Sequence, residues 1–208
     1  MRTVAAFDFD GTLSTRDNFM RFVRLVAGTT DTAKAVAAAA PTLLASRSDK
    51  AKRDDAKAMV LRATFAGRSD AHVRDLGARF ARLVASEHMN PHVVERLEAH
   101  RDLGHDLVIV SASLTCYLEP AAAILGIPTV LATEMAVGPD GRCTGEIVGA
   151  NVRGPEKAAR LADWIGDAPT RVFAYGDSHG DTELLAMADH GIMVDRRGRI
   201  PADAPPVT

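Results

Sequence analysis

Four acidic residues stand directly after segments that have the composition of buried strands. They are Asp8, Asp10, Asp177 and Asp181. The carboxyl ends of parallel strands lie along one edge of an open sheet, so these acids are expected to come together there. A cluster of four carboxylates is costly unless a cation joins them, and oxygen ligands without His or Cys favour Mg²⁺ over zinc. The spacing therefore predicts a magnesium site at the carboxyl edge of a sheet.

Two further residues suit a phosphate group beside such an ion. Ser111 follows another apolar run, and Lys157 lies in the first turn of a helix that Pro155 is predicted to open. A hydroxyl, the free N–H groups of a helix start and an ammonium all favour phosphoryl oxygens. Lys157 is the only lysine after Lys57, although 14 arginines occur in that stretch, which favours a role for a compact, flexible point charge. Ser113 is interpreted as the cap of the helix that follows it.

The elements that must position these residues alternate between strand and helix patterns. Continuous apolar runs predict strands over residues 3–9, 106–111, 129–132, 171–175 and 191–194. Caps and apolar spacing predict helices over residues 91–103, 115–125 and 155–165, and turn residues predict a β-hairpin over 134–148. Repeated strand–helix units imply a parallel sheet with helices on both faces. We therefore predict an α/β fold with a Rossmann-like parallel sheet as its core.

A long segment after the first strand contains helical patterns and no strand pattern. Apolar residues at helical spacing begin at Phe19, with Asp17 or Asn18 as the predicted N-cap. Asp31 is interpreted as the cap of an Ala-rich helix, and two more helices are predicted over Lys50–Phe65 and Ser69–Ser86. The predicted domains are a core of residues 1–15 and 91–195, a helical cap of residues 16–90 inserted after the first strand, and a loose C-terminal tail of residues 196–208.

Composition excludes several classes of protein. The 208 residues carry 25 Lys+Arg against 27 Asp+Glu, which argues against a dedicated nucleic-acid-binding protein with its pI above about 9. Cys116 and Cys143 are too few for a disulfide scaffold and lack zinc-site spacing. No apolar run reaches the roughly 18 residues of a membrane span, and the N-terminal segment does not have the pattern of a signal peptide. A cytoplasmic protein is the expectation.

Four segments resemble, in the same order, the four motifs of the haloacid dehalogenase (HAD) superfamily. They are Asp8-Phe9-Asp10-Gly11-Thr12-Leu13, Ser111, Lys157 and Gly176-Asp177-x-x-x-Asp181. The helical insert directly after the first motif is similar to the cap of subfamily IB, the phosphoserine-phosphatase-like branch. The resemblance spans residues 3–195, and four motifs in register are far more specific than the first motif alone.

The resemblance implies a Mg²⁺-dependent phosphomonoesterase that hydrolyses a small phosphorylated metabolite through an aspartyl-phosphate. Asp8 is expected to be the nucleophile, and Asp10 to protonate the leaving oxygen and later to activate water. The carboxylate of Asp8, the backbone carbonyl of Asp10 and the carboxylate of Asp177 are expected to hold Mg²⁺. Asp181 is expected to be a ligand through water or to orient the other groups. The phosphoryl oxygens would be bound at Ser111, Ala112 and Lys157.

The helical insert is expected to decide the substrate. Asp17 lies nine residues after Asp8, where serine-phosphate-specific relatives have a Glu that meets the substrate ammonium, and it could equally cap the first helix. Arg16, with Arg21 and Arg24, could bind an anionic group of the leaving moiety or form a solvated helix face. Phosphoserine is the first substrate hypothesis, with histidinol phosphate or a lipid head-group phosphate as alternatives.

Three positions depart from the pattern of the serine-phosphate-specific relatives. Gly11 stands where they often have Ser, Ala112-Ser113 replaces two glycines, and Gly180 replaces an Asn. These departures leave the hydrolytic groups in place and bear on substrate specificity.

A phosphotransferase or mutase that uses the same intermediate is an alternative, and it would require a cap that excludes water. Two other classes fit less well. A non-catalytic binding module would need a lost catalytic residue, and a receiver domain would need neither Asp10 nor the cap.

Overall fold

The computed structural model describes residues 1–45 and 51–208. Within these residues the helices are α1 (Phe19–Ala45), α2 (Ala51–Phe65), α3 (Asp70–Glu87), α4 (Pro91–Asp102), α5 (Thr115–Ile124), α6 (Pro155–Ile165) and α7 (Thr182–Met187). The strands are β1 (Arg2–Phe7), β2 (Asp106–Leu114), β3 (Thr129–Thr133), β4 (Met135–Val137), β5 (Cys143–Ile147), β6 (Thr170–Gly176) and β7 (His190–Met193). None of the described helices is both long and apolar enough to cross a membrane.

Five strands form a parallel sheet in the order β3-β2-β1-β6-β7, with β1 at its centre. Residues 4–7 of β1 are fully buried because both faces of the sheet are covered. Ala5 and Phe7 belong to the apolar cluster on one face, and Val4 and Ala6 belong to the cluster on the other. The predicted α/β fold with a parallel sheet is confirmed, and its central strand ends immediately before Asp8.

The described residues between β1 and α4 are mostly helical, as predicted, although the first break in the helix lies elsewhere. The chain leaves helical geometry at Gly28, where φ is 80° and ψ is 166°, and not at Asp31. A positive φ is accessible to glycine at little cost, and Thr32 Oγ1 donates to the Gly28 carbonyl at 2.7 Å. Lys50, the first residue of the next predicted helix, lies outside the described residues, and α2 follows from Ala51. The division into core and cap domains stays a prediction.

The hairpin predicted over 134–148 is present as antiparallel β4 and β5. It lies against α2, where the Cβ of any residue other than glycine at position 145 would come within 2.6 Å of the Arg62 Cα. The C-terminal tail, residues 196–208, which is predicted to be loose, makes hydrogen bonds with α4 and the residue before it. Arg96 Nη1 donates to the Pro205 carbonyl at 2.9 Å, and the Asn90 amide donates to the Gly198 carbonyl at 2.9 Å. These hydrogen bonds fasten the tail to the start of α4.

Candidate active site

The acidic residues lie where the strand order reverses, between β1 and β6. Asp8 follows β1 directly, and its backbone N–H donates to the Tyr175 carbonyl of β6 at 2.9 Å. Asp177 follows the end of β6. Because α/β sheets bind ligands at the carboxyl end of such a reversal, the position of these acids agrees with the general rule for the fold.

Lys157 joins two of the acids. Its Nζ donates to Asp8 Oδ1 at 2.6 Å and to Asp181 Oδ1 at 2.5 Å, and all three side chains are at least 92% buried. Burial lowers the pKa of Lys157, but the two carboxylates outweigh it and raise the pKa above its usual value. Burial raises the pKa of Asp8, and the ammonium opposes that shift. The lysine therefore keeps its charge and helps to hold Asp8 as an anion.

Asp181 is held on both of its carboxylate oxygens. Oδ1 accepts from Lys157, while Oδ2 accepts from the Ser178 N–H at 3.0 Å, the Ser178 hydroxyl at 2.9 Å and the Asp177 N–H at 3.3 Å. Asp181 is buried behind the cavity described below and does not line it. This arrangement favours the orienting role that was one of its two predicted alternatives.

Three members of the acidic cluster could together hold a metal ion. Asp8, Asp177 and Asp181 each offer an oxygen atom, and these atoms lie within 4.8 Å of one another. Gly11, at φ 82°, leaves the space beside Asp177 open, because a Cβ there would lie 2.3 Å from Asp177 Oδ2. A set made only of carboxylate oxygens suits a hard cation such as Mg²⁺. The residues present therefore fit the predicted ion.

The Asp10 carboxylate has its own set of hydrogen bonds, separate from the acidic cluster. Oδ1 accepts from the Asn18 N–H at 3.1 Å and the Asn18 amide at 2.8 Å, and Oδ2 accepts from the Ser113 hydroxyl at 2.5 Å. Burial raises the pKa of Asp10 to about 6, although both partners oppose the shift by hydrogen bonding to the anion. A carboxyl group with this pKa can exchange a proton near neutral pH.

The role assigned to Ser113 from the sequence was wrong. The strand predicted to end at 111 continues to Leu114, and α5 starts at Thr115 without a side-chain cap. Ser113 therefore faces Asp10 from the end of β2. Strand alternation was the available signal, because residues two apart on a strand point to the same side, and Ser111 was already placed at the site. The sequence predicts Asn18 only as an alternative N-cap of the first helix, and it does not indicate the contact of Asn18 with Asp10.

The predicted phosphate-binding residues Ser111 and Ala112 both line the cavity next to Asp8. Ser111 is 1% exposed, and its Oγ accepts from the Ser113 N–H at 3.2 Å. The Ala112 carbonyl accepts a hydrogen bond from Lys57. The carboxyl end of β2 therefore contacts the helical segment.

Lys57 belongs to a polar network that sequence reasoning missed. Besides Ala112, its Nζ donates to Asn151 Oδ1 at 2.5 Å, and the Asn151 amide donates to Asp54 Oδ1 at 2.6 Å. Thr133 Oγ1 also donates to Asn151 Oδ1, at 3.0 Å. Burial lowers the pKa of Lys57 to about 8. These contacts join α2 to the sheet edge, and they come from segments so distant in sequence that no local pattern indicates them.

These residues surround a cavity of about 660 Å³. Of the residues predicted from the sequence, those that line it are Asp8, Asp10, Asp17, Ser111, Ala112, Lys157 and Asp177. Asp17 also accepts from the Phe19 N–H at 3.0 Å, so it caps α1 as the alternative interpretation required. Arg16 is exposed and does not line the cavity, so the structure does not bring this predicted substrate-binding residue to the site.

The sequence of the chain is similar to those of several known proteins. The sequence model of the haloacid dehalogenase-like hydrolases matches residues 5–186. Protein CicA of Caulobacter vibrioides is 35% identical over 186 residues, which are 89% of this chain and 83% of CicA. The histidinol-phosphatase of Neisseria meningitidis serogroup C is 25% identical over 137 residues, which are 61% of this chain and 62% of that protein.

The fold is shared with a solved structure of phosphoserine phosphatase in its apo form. The TM-score is 0.66 at 14% sequence identity, over 94% of this chain and 86% of that one. Together with the family match, this likeness confirms the predicted fold and superfamily, and with them the prediction of an enzyme. The chain belongs to the haloacid dehalogenase-like hydrolase family.

Proposed function

We propose that this hydrolase is a Mg²⁺-dependent phosphomonoesterase that acts on a small phosphorylated metabolite through a covalent aspartyl-phosphate on Asp8. One observation carries the proposal. A buried carboxylate lies 2.6 Å from a buried ammonium, within a cluster of carboxylates that fits a cation, at the wall of a cavity large enough for a metabolite. Such a group is shielded from water and poised for attack on an anion that the surrounding positive charge attracts.

In the first step, a carboxylate oxygen of Asp8 attacks phosphorus while the bond to the leaving oxygen breaks on the opposite side. Asp10 donates its proton to that oxygen, so the product leaves as a neutral alcohol. Lys157 and Ser111 face the phosphoryl oxygens and stabilise the charge that they carry. Bound Mg²⁺, held by Asp8, Asp177 and the Asp10 carbonyl, would supply further positive charge to the same oxygens.

In the second step, Asp10 reverses its role. Its carboxylate accepts a proton from water, and the water oxygen attacks phosphorus and displaces the carboxylate of Asp8. Inorganic phosphate leaves, and both acids return to their starting states. The hydrogen bonds from Asn18 and Ser113 hold Asp10 in one orientation for both steps, and the Ser113 hydroxyl can donate to the anion or accept from the acid.

Removal of divalent cations tests the proposal as a whole. We expect EDTA to stop the release of inorganic phosphate from p-nitrophenyl phosphate, because the clustered carboxylates repel the substrate when no cation neutralises them. Adding Mg²⁺ in excess over EDTA should restore the activity. Release at an undiminished rate in EDTA would contradict the metal dependence. A fall in free phosphate when an alcohol acceptor is added would instead indicate a phosphotransferase.

Replacing Asp10 with Asn should slow catalysis most for substrates with poor leaving groups. For an alkyl phosphate we expect kcat/KM to fall by about 10²–10⁴-fold, since an amide cannot protonate the departing alkoxide. For p-nitrophenyl phosphate the fall in kcat/KM should be much smaller, because p-nitrophenolate leaves without a proton. The measurement is kcat/KM for both substrates, which reports the steps up to the aspartyl-phosphate. Equal losses would argue against acid catalysis by Asp10.

A further inference from the structure

We propose that the alcohol part of the substrate carries an apolar chain or ring, which lies against α1 and α2 while the phosphate lies at Asp8. The preferred substrates are then phosphate monoesters of amphiphilic alcohols, and phosphoserine is a poor one. This inference rests on the proposed phosphomonoesterase activity and specifies its substrate class. It arises from how the cavity walls differ in chemistry between the sheet edge and the helical segment.

The helical segment contributes apolar side chains to one wall of the cavity, namely Phe19, Met20, Val36, Ala39 and Leu43 of α1 with Val60 of α2. Arg53, Asp54 and Lys57 of α2 also line the cavity. Ala39 and Val60 are only 3% and 6% exposed, so this wall continues the packed interior of the helical segment. An apolar group that enters from the phosphate site would leave water and meet hydrocarbon, which is favourable in proportion to the area it buries.

The size of the cavity supports a leaving group larger than that of phosphoserine. Cavities of about 300–1,000 Å³ hold ligands with tens of heavy atoms, and this one measures about 660 Å³. The same cavity is lined by Asp8 at the sheet edge and by Leu43 near the end of α1. An alcohol with a longer chain would bury more of this apolar lining than serine does.

Three of the charged side chains that line the cavity are engaged with the protein. Lys57 donates to Ala112 and Asn151, Asp54 accepts from the Asn151 amide, and Asp17 caps α1. The ammonium and carboxylate of phosphoserine need partners of opposite charge, because burying either one unpaired is costly. Arg53 and Arg153 also line the cavity, and a guanidinium can pair with a substrate carboxylate, so the test compares apolar and polar substrates directly.

A series of n-alkyl phosphates from ethyl to octyl tests the inference, with O-phospho-L-serine as the polar comparison. Phosphate release is measured with Mg²⁺ present and each ester below its aggregation concentration. We expect kcat/KM to rise about two- to fourfold for each added methylene, and phosphoserine to fall below butyl phosphate. A flat series, or phosphoserine as the best substrate, would overturn the inference. Failure to hydrolyse any ester would instead overturn the proposed phosphomonoesterase.

Two matched variants locate the contact on α1. Leu43 and Leu25 are 49% and 46% exposed on the same helix, but only Leu43 is among the residues that line the cavity. In Leu43→Ser, the ratio of kcat/KM for octyl over ethyl phosphate should fall about three- to tenfold, whereas Leu25→Ser should keep the wild-type ratio. An unchanged ratio in Leu43→Ser, or an equal fall in both variants, would place the chain-length preference away from this wall.

Discussion

We expect the Asp8→Asn variant to hydrolyse p-nitrophenyl phosphate at least about 10⁴-fold more slowly than the wild type. An amide is not nucleophilic enough to displace an alkoxide or a phenolate from phosphorus, and it cannot form the acyl-phosphate bond. The choice of p-nitrophenyl phosphate makes the test strict, because its leaving group needs no acid and any remaining activity must come from another nucleophile. Phosphate release is followed over hours against a buffer blank, so that a loss of this size in the rate can be measured.

The fold of this variant is expected to survive. Asparagine has nearly the volume of aspartate, and Lys157 keeps its second partner, Asp181. Asp31→Asn is a suitable control, since Asp31 is exposed on α1 and pairs only loosely with Lys34 at 3.5 Å. The control should hydrolyse the substrate at the wild-type rate.

Beryllofluoride, a mimic of an acyl-phosphate, gives a second readout that does not depend on turnover. It should inhibit the wild-type enzyme by binding to the Asp8 carboxylate and should give no bound ¹⁹F NMR signal with Asp8→Asn. Activity within about tenfold of wild type, or an unchanged bound signal in the variant, would remove Asp8 from its proposed role.

Replacing Lys157 with Met should damage both activity and stability. The variant leaves two buried carboxylates, Asp8 and Asp181, without the ammonium that lies 2.6 and 2.5 Å from them. Removing one partner of a buried ion pair typically costs about 3–5 kcal/mol, because the remaining charge is left unpaired. We expect a loss of about 3 kcal/mol in the free energy of unfolding, measured by urea denaturation in EDTA, and at least about a 10²-fold loss of kcat/KM.

The pH dependence of this loss identifies its cause. Burial raises the pKa of Asp8 even in the intact protein, and removing Lys157 should raise it further. A carboxyl whose pKa is higher in the folded state than in the unfolded state destabilises the fold increasingly as pH rises through that range. The variant should therefore be closest to wild type in acid and weakest in alkali. Lys34→Met, which removes an exposed lysine, should cost no more than about 1 kcal/mol at any pH. A deficit independent of pH would indicate lost packing instead.

Much of the site was predictable because strand ends are conspicuous in the sequence. A run of four buried apolar residues stops at Asp8, and Asp177 follows another apolar strand, so a parallel sheet places both at one edge. Lys157 was indicated by its position at the start of a helix and by the scarcity of lysine after Lys57. The contacts of Ser113 with Asp10 did not follow, because the prediction ended β2 three residues too early. A strand boundary is set by pairing with its neighbour, and β2 shifts register against β3 between Ser111 and Leu114.

The remaining contacts depend on how separate elements pack. In the sequence, Lys57 has the pattern of an ordinary residue of an amphipathic helix, and its contact with Ala112 depends on how α2 packs. Asn151, its other partner, follows a hairpin whose position cannot be predicted from local sequence. Arg16 lies close to Asp10 along the chain, yet it does not line the cavity. Proximity in sequence therefore does not suffice to predict a residue of the site. The helix breaks at Gly28 and not at Asp31, because glycine adopts the positive φ of the break at little cost.

The hydrogen bonds between Asn18 and Asp10 connect the proposed proton donor to the start of α1. Asn18 directly precedes α1, and its backbone carbonyl accepts from the Phe22 N–H at 2.9 Å. A displacement of α1 from the sheet edge that carried Asn18 with it would weaken the hydrogen bonds that orient Asp10. Proton transfer by Asp10 would then be favoured only while α1 lies against the sheet edge.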